Sequence, residues 1–323
     1  MRIDPHVHCR DEKERHKETI EHTFKIAEEQ GVDIIFDMPN TNPPIITQER
    51  VRDRLKLVPE EKKENYFLWL GITSNEDQIK EAVRIYDDFH NTHVIGFKLY
   101  AGRSVGDLAV IDREKQAGIY KMLASLGYEG VLAVHCERED LLKPELWNPL
   151  NPMSHSEARP KEAEIEAVRD QIRFANQAKF KGILHIVHVS CPETVDLVKI
   201  ARPNIKITCA VTPHHILFAQ ELQMERGGLL YKMNPPLRSL RDIELLRNCL
   251  LQGEIDWIET DHAPHAVGEK IFPPYLSGFP SLYLYREFVE GFLPQIGAGK
   301  NLINDMTFGN IVKTFSSKLG GVI

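Results

Sequence analysis

The sequence has no long hydrophobic run and no block of basic residues. Its longest apolar run extends from Tyr66 to Ile72, far short of the roughly 20 residues that a membrane-spanning helix needs. The opening Met-Arg-Ile-Asp is not followed by an apolar stretch, so we expect no signal peptide. The formal net charge is −7. Without a basic patch, nucleic acid and membrane surfaces are not expected partners.

Cysteine is also scarce, with five residues in a chain of 323. The count is odd and no Cys-x-x-Cys spacing occurs, which argues against a disulfide framework and favours a reducing, cytoplasmic location. Hydrophobic residues make up 42% and charged residues 27% of the chain, which is typical of a soluble enzyme and excludes a disordered chain. The fourteen histidines stand out, because several of them end apolar runs.

Eight short apolar runs alternate with helical patterns along the chain. The predicted strands are Ile3–His8, Val32–Asp37, Tyr66–Ile72, Val94–Leu99, Val131–His135, Ile183–Val189, Ile205–Val211 and Ile255–Asp261. This alternation predicts an α/β fold, namely a (β/α)₈ TIM barrel that occupies residues 1–323 as a single domain. An open doubly wound sheet is the rival fold, but it would usually have a glycine-rich turn after the first strand, and none is present.

Helical periodicity supports this assignment between and after the strands. Ile20, Phe24 and Ala27 share one helical face, and Gly31 is placed to end that helix. The spacing of Phe308, Val312, Phe315 and Leu319 predicts a final helix.

Polar side chains occupy the carboxyl ends of the predicted strands, where active sites of such barrels lie. Imidazoles and a carboxylate at one mouth are ligands for zinc or a similar divalent metal. These residues are His6, His8, Lys98, His135, His188 and Asp261. The Thr260–His265 segment alone holds a carboxylate and two histidines, and an ordinary polar loop explains it poorly.

Strand geometry separates the candidates further, because side chains alternate between the two faces of a strand. His6 and His8 therefore share a face, whereas Cys9 lies on the other and is not expected to bind metal; a pair of surface histidines remains the alternative. An ideal strand would turn His185 and His188 to opposite faces. We favour His188, nearer the strand end, and interpret His185 as a packed histidine behind the site.

Lysine is rarely buried without a partner, which makes Lys98 unusual. It either extends its amine out of the barrel mouth or carries a carbamate formed with carbon dioxide. A carbamate has two anionic oxygens and could bridge two metals.

Several segments, in order along the chain, resemble the dihydroorotases of the cyclic amidohydrolase superfamily. They are Asp4-Pro-His-Val-His-Cys-Arg-Asp11, Asp37-Met-Pro-Asn-Thr-Asn-Pro-Pro44, Gly96-Phe-Lys-Leu-Tyr100, Val134-His-Cys-Glu137, His188-Val-Ser190, Thr212-Pro-His-His215, Lys232-Met-Asn-Pro-Pro-Leu-Arg238 and Thr260-Asp-His-Ala-Pro-His265. The resemblance implies a (β/α)₈ barrel with a binuclear zinc centre. It also implies the reversible conversion of N-carbamoyl-L-aspartate to L-dihydroorotate, the ring-closing step of pyrimidine synthesis.

The resemblance also implies roles for individual residues. His6 and His8 would bind one metal, His135 and His188 the other, and carboxylated Lys98 would bridge the two. Asp261 would bind the first metal and act as acid and base. The residues in the family's substrate-binding positions are Arg10, Asn40, Asn234 and His265.

Some features depart from the family pattern. No sequence is available here for the small accessory β-sandwich of many relatives, and Cys9 replaces the usual apolar residue. Lys98 places the chain with the lysine-carboxylated type rather than with relatives that have aspartate there. Residues 101–107 match no known lid loop, but Gly102, Gly106 and their position after Lys98 predict a loop that moves over the mouth.

Two other functions compete with this one. A hydantoinase, dihydropyrimidinase or allantoinase would share the metal ligands, but Arg10 and Asn40 favour a ring that bears a carboxylate. A non-catalytic scaffold, for example beside an aspartate transcarbamoylase, would be expected to have lost ligands, and every ligand position is filled. A homo-oligomer is possible, and the sequence gives no support for the transcarbamoylase partner.

Overall fold

The computed structural model describes residues 1–88, 92–103 and 107–320. Its eight strands form one sheet in sequential order, and all neighbouring strands are parallel. The strands are β1 (Ile3–Val7), β2 (Ile34–Asp37), β3 (Tyr66–Gly71), β4 (Val94–Tyr100), β5 (Val131–His135), β6 (Ile183–Ile186), β7 (Ile207–Val211) and β8 (Trp257–Ile258). All eight predicted strands are confirmed, but β6 and β8 end earlier than predicted.

The sheet closes into a barrel where the chain after β8 meets β1. Val7 and His262 form a parallel bridge, and the backbone N–H of His8 donates to the carbonyl of His262 at 2.8 Å. Lower on this seam, Thr260 donates to the two carboxylate oxygens of Asp4 from its backbone N–H at 3.0 Å and from its hydroxyl at 2.5 Å. The predicted (β/α)₈ barrel is therefore correct, although side chains replace part of the last strand ladder.

Helices follow the strands and cover the outside of the barrel. They are α1 (Ile20–Gln30), α2 (Gln48–Leu55), α3 (Glu76–Asp87), α4 (Arg113–Ser125), α5 (Ser154–Ala158), α6 (Lys161–Gln177), α7 (Pro192–Ala201), α8 (Pro213–Leu217), α9 (Leu240–Leu251), α10 (Val267–Ile271), α11 (Leu293–Gln295), α12 (Lys300–Asn304), α13 (Asn310–Thr314) and α14 (Ser316–Leu319). Gly31 ends α1 with φ of 71°, as predicted. No helix within the described ranges is long and apolar enough to cross a membrane.

Aromatic side chains fill the end of the barrel opposite the polar strand ends. The ring of Phe315 lies 5.3 Å from that of Phe36, 5.7 Å from Trp69 and 6.0 Å from Trp257, measured between centroids. Phe315 separates α13 from α14, so the predicted final helix is broken there. At this break Phe315 is buried against the aromatic rings of the barrel interior.

A fully buried ion pair connects β2 to the loop that follows β1. Asp37 accepts hydrogen bonds from Arg54 Nε at 3.0 Å, Arg54 Nη2 at 2.7 Å and the Tyr66 hydroxyl at 2.6 Å. Its other oxygen accepts from the backbone N–H of Cys9 at 2.9 Å, and Arg54 Nη1 donates to the carbonyl of Arg10 at 2.7 Å. The pair thus holds the backbone of Arg10, whose φ is 52°.

We expect Arg54→Met to destabilise the fold strongly, because it leaves the carboxylate of Asp37 buried without a counter-charge. Breaking a buried pair from one side costs about 3–5 kcal/mol of unfolding free energy. Denaturant titration of the metal-free protein measures it. Lys56→Met is the control, since Lys56 is exposed and its 2.9 Å contact with Asp53 is worth about 0–1 kcal/mol. Equal effects of the two substitutions would contradict the prediction.

Candidate metal centre

Six predicted ligands lie at the carboxyl ends of five strands and are buried together in the barrel mouth. His6 lies in β1 with His8 directly after it, Lys98 in β4 and His135 at the end of β5. The other two, His188 and Asp261, follow β6 and β8 by two and three residues, and both have positive φ, 37° and 47°. Because the strands end before these two residues, the turns that follow, and not strand pleating, set their directions.

The first cluster contains His6, His8 and Asp261, whose possible ligand atoms all lie within 4.8 Å of one another. Asp261 Oδ1 is 3.2 Å from His6 Nε2 and 2.9 Å from His8 Nε2. Burial raises the pKa of Asp261 and lowers that of His6 to about 4. Neutral imidazoles beside a carboxylate are ready to donate lone pairs to a cation.

The second cluster is the pair His135 and His188. The Nδ1 atom of His135 lies 3.1 Å from Nε2 of His188. On the far side of its ring, Nε2 of His135 is 3.0 Å from the carboxylate of Glu137, which is itself paired with Arg159 at 2.6 Å. The carboxylate accepts a hydrogen bond from the N–H at Nε2, so the lone pair of His135 is on Nδ1 and faces His188.

The amine of Lys98 lies inside the barrel and does not extend out of its mouth. Its side chain is buried, and among the described residues its Nζ has no hydrogen-bond partner. The ring of Tyr100 lies beside it, with 5.2 Å between Nζ and the ring centroid. Burial lowers the pKa of the ammonium to about 8, against the opposing attraction of Glu259 and Asp261.

The donor atoms fit divalent metals. Two ligands on a tetrahedral zinc ion with bonds of about 2.0–2.1 Å lie about 3.3 Å apart, and the contacts of His6 and His8 with Asp261 and of His135 with His188 are close to this. A lone buried amine is costly, and the orphaned Nζ of Lys98 becomes satisfied if it carries a charged oxygen group. The structure therefore buries the six predicted ligands in the barrel mouth, and the spacing of His6, His8 and Asp261 suits a metal ion.

The sequence reasoning missed one buried residue, Glu259. Its Oε1 lies 3.0 Å from Nδ1 of His6 and accepts the backbone N–H of His188 at 2.7 Å, and its Oε2 lies 3.3 Å from Nε2 of His185. The available signal was a glutamate directly after the apolar residues of the eighth predicted strand, a position where an unpaired charge is costly to bury.

Two residues that we had excluded as ligands lie outside the centre. His185 stacks on Trp257 at 4.2 Å between ring centroids, and its Nδ1 is 2.9 Å from the Thr208 hydroxyl, so it is a packed histidine behind the site as predicted. Cys9 is buried in the core between the sheet and the helices.

The predicted substrate residues surround a cavity beside the first cluster. Arg10, Asn40 and Asn234 line it together with His8 and Asp261. The fourth, His265, contacts Arg10 at the rim, with 3.3 Å between its Nε2 and Nη2 of the arginine. A buried guanidinium next to the cluster suits an anionic group of a small molecule.

The predicted mobile loop begins in a tightly packed segment. A Cβ atom on Gly102 would lie 2.1 Å from the carbonyl oxygen of Glu137, so glycine is needed here for close approach and not for backbone freedom. Arg159 Nη2 donates to the carbonyl of Arg103 at 3.1 Å. Residues 104–106 lie outside the described part of the chain, and the predicted movement stays a prediction.

Comparison with known proteins gives relatives of one activity. The chain is 31% identical over 289 residues to the dihydroorotase of Aeropyrum pernix, which covers 88% of this chain and 62% of that protein. It is 34% identical over 273 residues to the dihydroorotase of Brevibacillus brevis, covering 83% of this chain and 61% of that one. The chain thus spans about three fifths of the length of these relatives. No protein-family model matches it.

Solved structures share the fold at lower identity. The L-hydantoinase (dihydropyrimidinase) of Arthrobacter aurescens superimposes with a TM-score of 0.82 at 21% identity, over 98% of this chain and 70% of that one. The dihydroorotase of Campylobacter jejuni does so with a TM-score of 0.72 at 17% identity, over 98% of this chain and 83% of that one. By sequence the chain is a relative of the dihydroorotases, and its barrel fold is the one that these solved structures share.

Proposed function

We propose that the protein is a metal-dependent cyclic amidohydrolase that interconverts N-carbamoyl-L-aspartate and L-dihydroorotate. The observation that carries this proposal is the cavity in which Arg10, Asn40 and Asn234 adjoin His8 and Asp261. It combines groups that recognise a carboxylate with groups that handle metal and proton. The dihydroorotase relatives support the same reaction. We also propose that the reaction serves pyrimidine synthesis and that residues 1–323 form one catalytic domain.

The cofactor that we propose is a pair of divalent metals, zinc in the first instance. His6, His8 and Asp261 would hold one ion, His135 and His188 the other, and Lys98 would bridge them as a carbamate. When bound, such ions polarise a carbonyl group and lower the pKa of water towards neutrality. Two cations close together repel each other, and neutral imidazoles cannot offset this repulsion, so an anionic bridge at Lys98 suits the centre.

Arg10 would orient the substrate through its carboxylate. The guanidinium presents several N–H donors in a plane, which matches the two oxygens of a carboxylate. Its Nε already donates to the carbonyl of Pro264 at 3.2 Å, which fixes the side chain and leaves its terminal nitrogens toward His265 and the cavity. Asn40, Asn234 and His265 add directed hydrogen bonds, so the ring amide would face Asp261.

Asp261 would move the proton during hydrolysis. Water adds to the ring carbonyl carbon and the bond from this carbon to the ring nitrogen breaks. The carboxylate of Asp261 accepts a proton from the attacking water and delivers it to the departing nitrogen. Ring closure runs the same steps in reverse.

A turnover assay tests the proposed reaction. We expect conversion of N-carbamoyl-L-aspartate and of L-dihydroorotate by the metal-loaded protein, and little turnover of hydantoin, dihydrouracil or allantoin. Preference for one of the latter three would make the protein a hydantoinase, dihydropyrimidinase or allantoinase. A metal-loaded chain that turns over none of them would be a non-catalytic relative.

We expect two metal ions per metal-replete chain and a carbamate on Lys98. Elemental analysis gives the stoichiometry, and ¹³C NMR after exchange with labelled bicarbonate reports the carbamate. Lys98→Met should lose the carbamate signal and most of the bound metal. Lys115→Met, an exposed change on α4, serves as the control. One metal or fewer in replete protein, or a fully loaded protein with an unmodified Lys98, would contradict this.

We expect Arg10→Ala to raise the KM for dihydroorotate by one to two orders of magnitude. A hydrogen bond to a charged group is worth about 1.5–3 kcal/mol, and about 1.4 kcal/mol corresponds to a factor of ten in affinity. Bound metal should be unchanged, because Arg10 is not a ligand. Arg15→Ala, at an exposed position in the same loop, is the control. An unchanged KM in the Arg10 variant would mean that the substrate is oriented differently.

We expect Asp261→Asn to lower kcat by at least about 10²–10⁴-fold, the usual contribution of general acid–base catalysis. Asparagine keeps the shape and one coordinating oxygen but cannot accept the proton. Substantial metal binding should remain, which elemental analysis checks alongside steady-state kinetics. Near-normal turnover in a metal-loaded variant would transfer the proton-shuttle role to another group, and His265 would be the next candidate.

A further inference from the structure

The buried carboxylate of Glu259 lies directly behind the candidate metal centre and contacts both of its clusters. We infer that Glu259 is the positioning residue that fixes one histidine ligand of each metal, an inference that rests on the proposed metal-dependent function. Glu259 belongs to neither proposed ligand set. It would act only through His6 and His188.

Both oxygens of Glu259 are engaged, and each has its own function. Oε1 receives Nδ1 of His6 at 3.0 Å and the backbone N–H of His188 at 2.7 Å. Oε2 receives Nε2 of His185 at 3.3 Å and the indole N–H of Trp257 at 3.4 Å. Four donors from three strands and their extensions therefore hold the carboxylate in one orientation, with Oε1 directed at the ligands.

The contact with His6 selects the form of the imidazole that can bind a metal. A carboxylate accepts hydrogen bonds and donates none, so the proton of neutral His6 lies on Nδ1. The lone pair is then on Nε2, the atom that faces Asp261 at 3.2 Å. Carboxylates behind metal-binding histidines fix the tautomer and ring orientation in this way.

The contact with His188 acts on the backbone instead of the ring. Strand β6 ends at Ile186, and His188 has φ of 37°, a conformation that a residue with a Cβ atom rarely adopts. Its N–H donates to Glu259, which holds the turn that directs the His188 ring toward His135. The other ligand of this pair, His135, already has its own carboxylate in Glu137.

The test compares two carboxamide substitutions on either side of β8. Glu259→Gln removes the negative charge and replaces one of the two acceptor oxygens with an N–H donor, whereas Asp256→Asn changes a carboxylate just before the strand. Asp256 pairs with Arg202 at 2.7 Å and accepts the N–H of Cys209 at 2.8 Å. Its side chain is 21% exposed against 1% for Glu259, and it forms none of its described contacts with the proposed ligands, so it controls for the loss of a structural carboxylate next to β8.

The main readouts are metal affinity and coordination geometry. Chelator competition with Zn²⁺ measures the affinity, and the absorption spectrum of the Co²⁺-loaded protein reports the geometry. Loss of such a partner typically weakens metal binding about 10–100-fold, and we expect this of Glu259→Gln together with a changed Co²⁺ spectrum. Asp256→Asn should match the parent. Parent-like affinity and spectrum in folded Glu259→Gln would overturn the inference.

A second measurement needs no variant and so does not depend on folding of the Glu259→Gln protein. Long-range ¹⁵N–¹H spectra of the zinc-loaded parent should show His6 protonated at Nδ1 and coordinated through Nε2. Coordination through Nδ1 would overturn the inference. Failure of the proposed reaction gives a different result from failure of this inference. A parent protein that binds two metals but does not convert dihydroorotate would contradict the proposed reaction and leave the role of Glu259 intact. A parent that binds no metal overturns both.

Discussion

The seam between the end of β8 and the start of β1 is the constraint on which the barrel and its mouth both depend. Strand β8 has only two residues, Trp257 and Ile258, so the backbone ladder cannot close the barrel alone. Buried side chains complete the closure, with Thr260 bound to Asp4 and Glu259 to His6. The residues that close the fold are thus neighbours in sequence of those that would bind metal. A substitution at this seam is expected to affect both stability and the site.

The packed interior explains why polar groups in the mouth interact strongly. Phe315, Phe36 and Trp257 pack together in a buried cluster at the other end of the barrel. Burial lowers the pKa of Lys98 to about 8 and raises that of Asp261. Charges in such surroundings interact more strongly than in water. A metal ion bound in this mouth would offset part of the cost of burying these groups.

The sequence predicts most of the fold and the first cluster, because both depend on periodic patterns. Alternation along β1 places His6 and His8 together and directs Cys9 away from them, as the structure has it. For His185 and His188 the outcome agrees with the prediction but the rule does not explain it. The His185 ring packs on Trp257 and the His188 ring faces His135, but the strand ends at Ile186, so a backbone turn and not strand alternation directs His188. A turn of this kind depends on a hydrogen bond between residues far apart in sequence, which hydrophobic periodicity cannot predict.

Buried carboxylates stabilise the irregular backbone turns of the candidate site. Arg10, His188 and Asp261 all have positive φ, which costs energy in residues with a Cβ atom. The turn at Arg10 is held through Asp37 and its arginine, and the turn at His188 through Glu259. Each such carboxylate lies at the end of an apolar run, where sequence reasoning naturally reads it as a ligand or overlooks it. A carboxylate at the end of a strand can instead stabilise the backbone of a neighbouring segment. The functional histidine or arginine then depends on this carboxylate indirectly, through the conformation of its own backbone.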